Sequence, residues 1–170
     1  MHVRRVPMIG IRTAKDWASA APGATHLVVD VDGTLLPFRG EGRNSEAFER
    51  RLRELTADRR LHSVVAVSNA ATPWPDRERN ERIPVTVVAR ARKPWTSRRS
   101  LDRPCEYASE ACRRVVIGDQ VLTDGLLAFR LGVPFLRVTA RFPGEPTWPR
   151  LMRLGGRLLE NVLFTNDFRS

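Results

Sequence analysis

Lysine, cysteine and histidine are scarce in this chain of 170 residues. Two lysines, Lys15 and Lys93, stand against 27 arginines. The two cysteines, Cys105 and Cys112, have neither metal nor redox spacing, and the three histidines, His2, His26 and His62, are scattered. These absences argue against a Cys/His metal module and against a fold that needs an oxidising compartment. No apolar run approaches the roughly 20 residues of a membrane span. Arg4-Arg5 is followed by too brief an apolar stretch for a secretory signal. A cytoplasmic protein is therefore expected, with contact at the inner membrane face as a further option. Linkers, repeats and low-complexity tracts are missing too, so residues 1–170 read as one domain, long enough to bury a real core.

Positive charge is what the chain has in excess: +10 net, with a pI of about 11.3. Arginine in place of lysine almost everywhere fits genomic base composition as well as function. The excess would still draw the protein to anionic surfaces, lipid or nucleic acid. The basic residues form no dense block, and no aromatic-basic stripe points to base stacking. Trp17, Trp74, Trp95 and Trp148 are isolated from one another, with Trp74 and Trp95 near the expected site entrance.

The acids are placed more tellingly. Leu27 to Val31 reads as a buried strand that ends in Asp30-Val31-Asp32, and Gly33-Thr34 then turns the chain. Acids at a strand end sit at the carboxyl edge of a sheet, where open α/β folds bind ligands. Two such carboxylates repel unless a hard cation lies between them or one is protonated. That pairing suits a nucleophilic carboxylate beside a general acid. Three more strands follow: Ser63 onward, ending in Ser68-Asn69; Val85 onward, leading to Lys93-Pro94; and Val115 onward, ending in Gly118-Asp119 with Asp124 beyond. Each brings a chemically distinct group to the same edge. A lysine kept in so arginine-rich a chain suggests a compact ammonium where a forked guanidinium would not serve.

Asp30-Val31-Asp32-Gly33-Thr34, Ser68-Asn69, Lys93-Pro94 and Gly118-Asp119 through Asp124, in this order, resemble the haloacid dehalogenase superfamily of phosphohydrolases. Ala91-Arg92-Lys93-Pro94, Gln120 and the stretch Leu126 to Gly132 narrow the resemblance to its capless subfamily IIIA. Within it they resemble the YqeG-like branch that includes the mitochondrial phosphatidylglycerophosphate phosphatase. The likeness runs from about residue 24 to about residue 165. It implies a Rossmann-like three-layer α/β sandwich with a central, mostly parallel sheet. It also implies a set of roles. Asp30 would be the nucleophile that forms an aspartyl-phosphate, and Asp32 the general acid and base. Ser68 and Lys93 would hold the phosphoryl group. Mg²⁺ would take the Asp30 carboxylate, the Asp32 backbone carbonyl and Asp119. Asp124 would join the metal group through a bound water or hold Lys93; its other reading is an N-cap to a helix starting near Gly125. Asn69 either supports the phosphate site or shapes the turn.

Departures from the branch are Gly33, where near relatives carry asparagine, the Pro73-Trp74-Pro75 segment, and Pro104, which limits a helix to about 104–113. Between Asp32 and Ser68 there is room for a turn and one helix, about Ser45 to Leu61, with Ala47, Phe48, Leu52 and Leu55 on its apolar face. Between Ser68 and Lys93 there is a short helix, about Asp76 to Glu81, and a strand. Neither gap holds a cap domain, so the site should be open and suit a phosphate carried on something large. Residues 149–164 form an amphipathic pattern, with Arg150, Arg153, Arg157 and Glu160 opposite the apolar residues. That helix either docks on the domain or a partner, or lies on an anionic bilayer.

The expectation is thus a Mg²⁺-dependent phosphomonoester hydrolase acting on a bulky or surface-held substrate such as phosphatidylglycerophosphate. A nucleic acid end or a phosphoprotein is the alternative substrate. A catalytically idle scaffold that binds phosphate is the alternative of another class.

Overall fold

The computed structural model describes residues 5–40, 42–70, 83, 85–102 and 113–165. Seven parallel strands form one sheet: β1 (Val6–Ile11), β2 (His26–Asp30), β3 (Ser63–Val67), β4 (Val85–Val88), β5 (Arg114–Gly118), β6 (Phe135–Val138) and β7 (Phe164–Thr165), ordered β4-β3-β2-β5-β6-β1-β7. The expected Rossmann-like three-layer sandwich is what the chain adopts. The helices are α1 (Trp17–Ala20), α2 (Ser45–Leu55), α3 (Arg98–Asp102), α4 (Leu126–Leu131) and α5 (Thr147–Leu163), with a π-helical turn at Val121–Gly125.

β2, β3 and β5 are buried on both faces, which is why their sequences read as unbroken apolar runs. Alternate residues feed two separate cores. Leu27, Val29, Val64 and Ile117 pack under Trp17, Phe48 and Leu55 on one side. Val28, Val65, Val116 and Phe135 pack with Leu101, Val121 and Leu127 on the other.

α2 stops at Leu55, six residues short of the expected Leu61. Thr56 ends it by donating its hydroxyl to Leu52 O at 2.9 Å, and Asp58 then accepts from Arg60 N–H at 2.9 Å to form a turn. The expected helix at Asp76–Glu81 lies outside the described residues, as does all but the last residue of the one at 104–113. α5 begins at Thr147, so Pro149 falls in its first turn, where its missing N–H costs nothing. A Cβ at Gly156 would lie 2.8 Å from Val121 Cβ, so glycine there lets α5 lie directly against the π turn. No large cap domain, and no helix long and apolar enough to cross a membrane, is present among the described residues.

From β2 the chain winds outward through β3 to β4, then returns to place β5 on the other flank of β2. The sheet therefore changes winding direction between β2 and β5. Open α/β sheets leave a crevice at the carboxyl ends of such a strand pair.

Candidate functional site

β2 and β5 pair in register from His26↔Arg114 to Val29↔Ile117, so Asp30 and Asp119 leave the sheet side by side. The π turn adds Asp124. One carboxylate oxygen from each of Asp30, Asp119 and Asp124 lies within 4.8 Å of the others, and all three residues are buried. Gly118 makes this possible: a Cβ there would sit 2.4 Å from Asp124 Cγ. Freed of that clash, the Asp124 carboxylate folds back over the end of β5 and accepts from Gln120 N–H at 3.3 Å.

Lys93 enters the same point from beyond β4. Its Nζ donates to Asp124 Oδ1 at 2.6 Å and to Asp30 Oδ1, with the side chain only 3% exposed. Asn69 sets its main chain by accepting Lys93 N–H at 2.7 Å, and Ala91 N–H donates to Ser68 O at 2.9 Å. Arg90 and Arg92 take left-handed backbone angles, φ 49° and 55°. For a residue with a side chain this costs roughly 1–2 kcal/mol each. The turn that presents Lys93 is thus strained and held by hydrogen bonds to the end of β3.

The Asp32 side chain, expected to serve as acid and base while only its backbone carbonyl meets the cation, has partners outside the acidic cluster. The chain turns at Val31, whose carbonyl accepts from both Leu35 and Leu36 N–H at 3.1 and 2.9 Å, and this carries Asp32 out of strand register. Asp32 Oδ1 pairs with Arg43, and its Oδ2 accepts from Ser68 Oγ. Of its readings, Asp124 takes the one at Lys93, and Gly125 holds the N-cap position of α4. Asn69 shapes the Lys93 turn, one of its two readings. Ser68 sits between Asp32 and Ala70 N–H, which donates to its Oγ at 3.0 Å.

Arg43 and Arg153 are site residues that sequence reasoning missed. Arg153, on the inner side of α5, donates from Nη1 to Asp119 Oδ2 at 2.5 Å and also pairs with Glu145. Its signal was available, as an arginine on the polar side of an amphipathic helix. Arg43 lies in an irregular loop and left none.

The electrostatics follow from burial. Asp30 is pushed well above the usual carboxylate range by desolvation and then by the charge of Asp124, against the pull of Lys93. Asp119 is pushed up to about 7 by burial and Asp124, with Arg153 opposing. Burial alone would lower Lys93, yet Asp124 and Asp30 hold it above the ordinary lysine value. Three buried carboxylates thus share one buried ammonium and one guanidinium. Asp119 Oδ1 is buried without a hydrogen-bond partner. An orphaned carboxylate oxygen beside two others is a fitting donor set for a hard divalent cation such as Mg²⁺.

No protein-family model, curated protein or solved structure matches this chain. Thr34, whose Oγ1 lies 3.5 Å from Asp30 Oδ2, also lines a cleft of about 200 Å³ with Lys15, Leu35, Arg51, Arg141 and Phe142. The wall of this cleft is mostly apolar, with Lys15, Arg141 and the Arg51–Glu54 ion pair at its edge, and Thr34 stands between it and Asp30.

Proposed function

We propose that the protein is a Mg²⁺-dependent phosphomonoester hydrolase that works through an aspartyl-phosphate on Asp30. The observation that carries this reading is the buried Asp30, Asp119 and Asp124 cluster closed by Lys93 at the β2/β5 crevice. The resemblance of the motifs to the capless haloacid dehalogenase phosphatases points the same way. Asp30, Asp119 and Asp124 would hold Mg²⁺, which when bound supplies charge neutralisation for the phosphoryl group and its attacking carboxylate.

Lys93 occupies Asp30 Oδ1, which leaves Oδ2 as the atom that attacks phosphorus in line. The P–O bond to the leaving group breaks as the Oδ2–P bond forms, and Asp32 gives its proton to the departing oxygen. Asp32 then takes a proton from the water that hydrolyses the acyl phosphate, restoring both carboxyl groups. General acid–base help of this kind is worth about 10²–10⁴-fold. Arg43 and Ser68 orient the Asp32 side chain, and the Arg43 contact to Oδ1 has to open for Asp32 to carry the proton that it donates. Lys93 pulls Asp30 toward the ionised form that a nucleophile needs, against the opposing effect of burial.

The cleft past Thr34 supports a leaving group with apolar and anionic parts, as does the lack of a large cap among the described residues. A phospholipid head-group monoester such as phosphatidylglycerophosphate is the substrate class of choice. The test is Mg²⁺-dependent phosphate release from that lipid in mixed micelles and from p-nitrophenyl phosphate, with Asp30→Asn as the blank. Lipid turnover far above the generic ester, lost in Asp30→Asn by about 10³-fold or more, is the expected result. Generic turnover alone would discard the lipid, and silence on both would leave a phosphate-binding scaffold.

A further inference from the structure

Exposed large apolar side chains are confined to two places among the described residues: Trp95, and one face of α5. Trp95 is partly covered, with the Arg130 guanidinium 4.8 Å from its ring centroid. The α5 face is bare. Trp148, Leu151, Leu154, Leu158 and Val162 all point outward, Leu158 at 80% exposed. At helical periodicity they fill an arc of about 120° along about 21 Å of axis. Nor is this a core face left undocked, because α5 already has its inner anchors. Gly156 lies against Val121, Arg153 reaches Asp119, Glu160 pairs with Arg137, and Leu163 packs with the second core.

Charge selects the occupant. Arg150 and Arg157 are exposed and border the stripe on one side, whereas the single acid of the helix, Glu160, is engaged by Arg137. An apolar ridge with uncompensated cations beside it fits an anionic partner. A second copy of the same face would bring like charges together on a protein that is already +10. The stripe is also convex, and it carries a tryptophan at one end and arginines whose stems can lie along an apolar surface. This is the form of a helix that lies flat in the headgroup boundary of a bilayer.

We infer that the outer face of α5 docks the protein onto an anionic lipid bilayer, with Leu151, Leu154 and Leu158 in the acyl boundary and Arg150 and Arg157 at the headgroups. This goes beyond the phosphatase reading and does not require it, since the stripe and the catalytic cluster involve different residues.

Cosedimentation of the full chain with phosphatidylglycerol vesicles, against phosphatidylcholine vesicles, tests it. Leu154→Ser/Leu158→Ser should lower the vesicle partition coefficient tenfold or more. Arg150→Glu/Arg157→Glu should abolish the preference for the anionic lipid. Circular dichroism and turnover of p-nitrophenyl phosphate should stay as in the parent for the leucine variant. That keeps loss of docking distinct from loss of fold or of chemistry. Failure of the parent to pellet with phosphatidylglycerol vesicles, or equal pelleting of the leucine variant, would overturn the inference. So would a dimer in sedimentation velocity that the leucine variant splits, because the stripe would then be an interface between copies of the chain.

Discussion

Replacing Lys93 with methionine keeps the length of the side chain and removes the one ammonium from the acidic cluster. In the parent, Lys93 touches both Asp30 and Asp124, the latter at 2.6 Å, with all three side chains at most 5% exposed. Leaving a buried charge without its partner costs about 3–5 kcal/mol. The carboxylates can escape that cost by taking up protons, and burial already raises Asp30 and Asp119 above the ordinary carboxylate range. A carboxyl group whose pKa is raised on folding contributes most when protonated, so its contribution is lost as pH climbs through the raised value. Lys93→Met should therefore lose about 3–5 kcal/mol at pH 8 and roughly 1–2 kcal/mol at pH 5. At about 2–4 °C per kcal/mol for a domain of this size, the melting point at pH 8 should fall by about 6–20 °C. Scanning calorimetry in EDTA at the two pH values reads this directly, and added Mg²⁺ should recover part of the loss. An equal loss at both pH values, or a variant more stable at pH 8, would refute the electrostatic account of the cluster.

Two further perturbations probe the same site. With Asp119 raised from 3.8 to about 7, metal-free protein should lose stability as pH rises between those values and level off above them. Asp119→Asn should lack that component. Mg²⁺ binding should release protons near pH 6.5 in calorimetry across buffers of different ionisation heat, and proton-free binding would contradict the assignment. Gly118→Ala would push a methyl group to 2.4 Å from Asp124 Cγ and its Oδ2. Overpacking of that kind costs about 1–3 kcal/mol, and turning Asp124 away from Lys93 should weaken Mg²⁺ binding about tenfold or more. Urea denaturation and a metal titration check both effects, and an unchanged alanine variant would mean that Asp124 has room to move.

Pattern along the chain was enough for the central strands and their chemistry. β2, β3 and β5 are buried on both faces, so each had to be a continuous apolar run, and the first polar residues after each run had to stand at the sheet edge. Asp30, Ser68, Asn69 and Asp119 were legible for that reason, and Lys93 because lysine is so rare here. β1 and β6 were not foreseen. Val6–Ile11 contains Pro7 and Gly10, β6 spans four residues with Arg137 among them, and both gain strand character from pairing with each other. The distribution of charge within the site was legible only in part. Asp124 holding Lys93 was one of two readings, and a missing Cβ at Gly118 decides it. That Asp32 turns to Arg43 and Ser68 and that Arg153 reaches Asp119 was hidden, because these contacts depend on a turn at Val31 and the seating of α5 on the π turn. The sequence by itself determined which side chains arrive at the carboxyl edge, because strand burial and period are local properties. Only the tertiary structure decided which charge faces which, because long side chains choose partners among groups that the chain brings together from 30 to more than 60 residues apart.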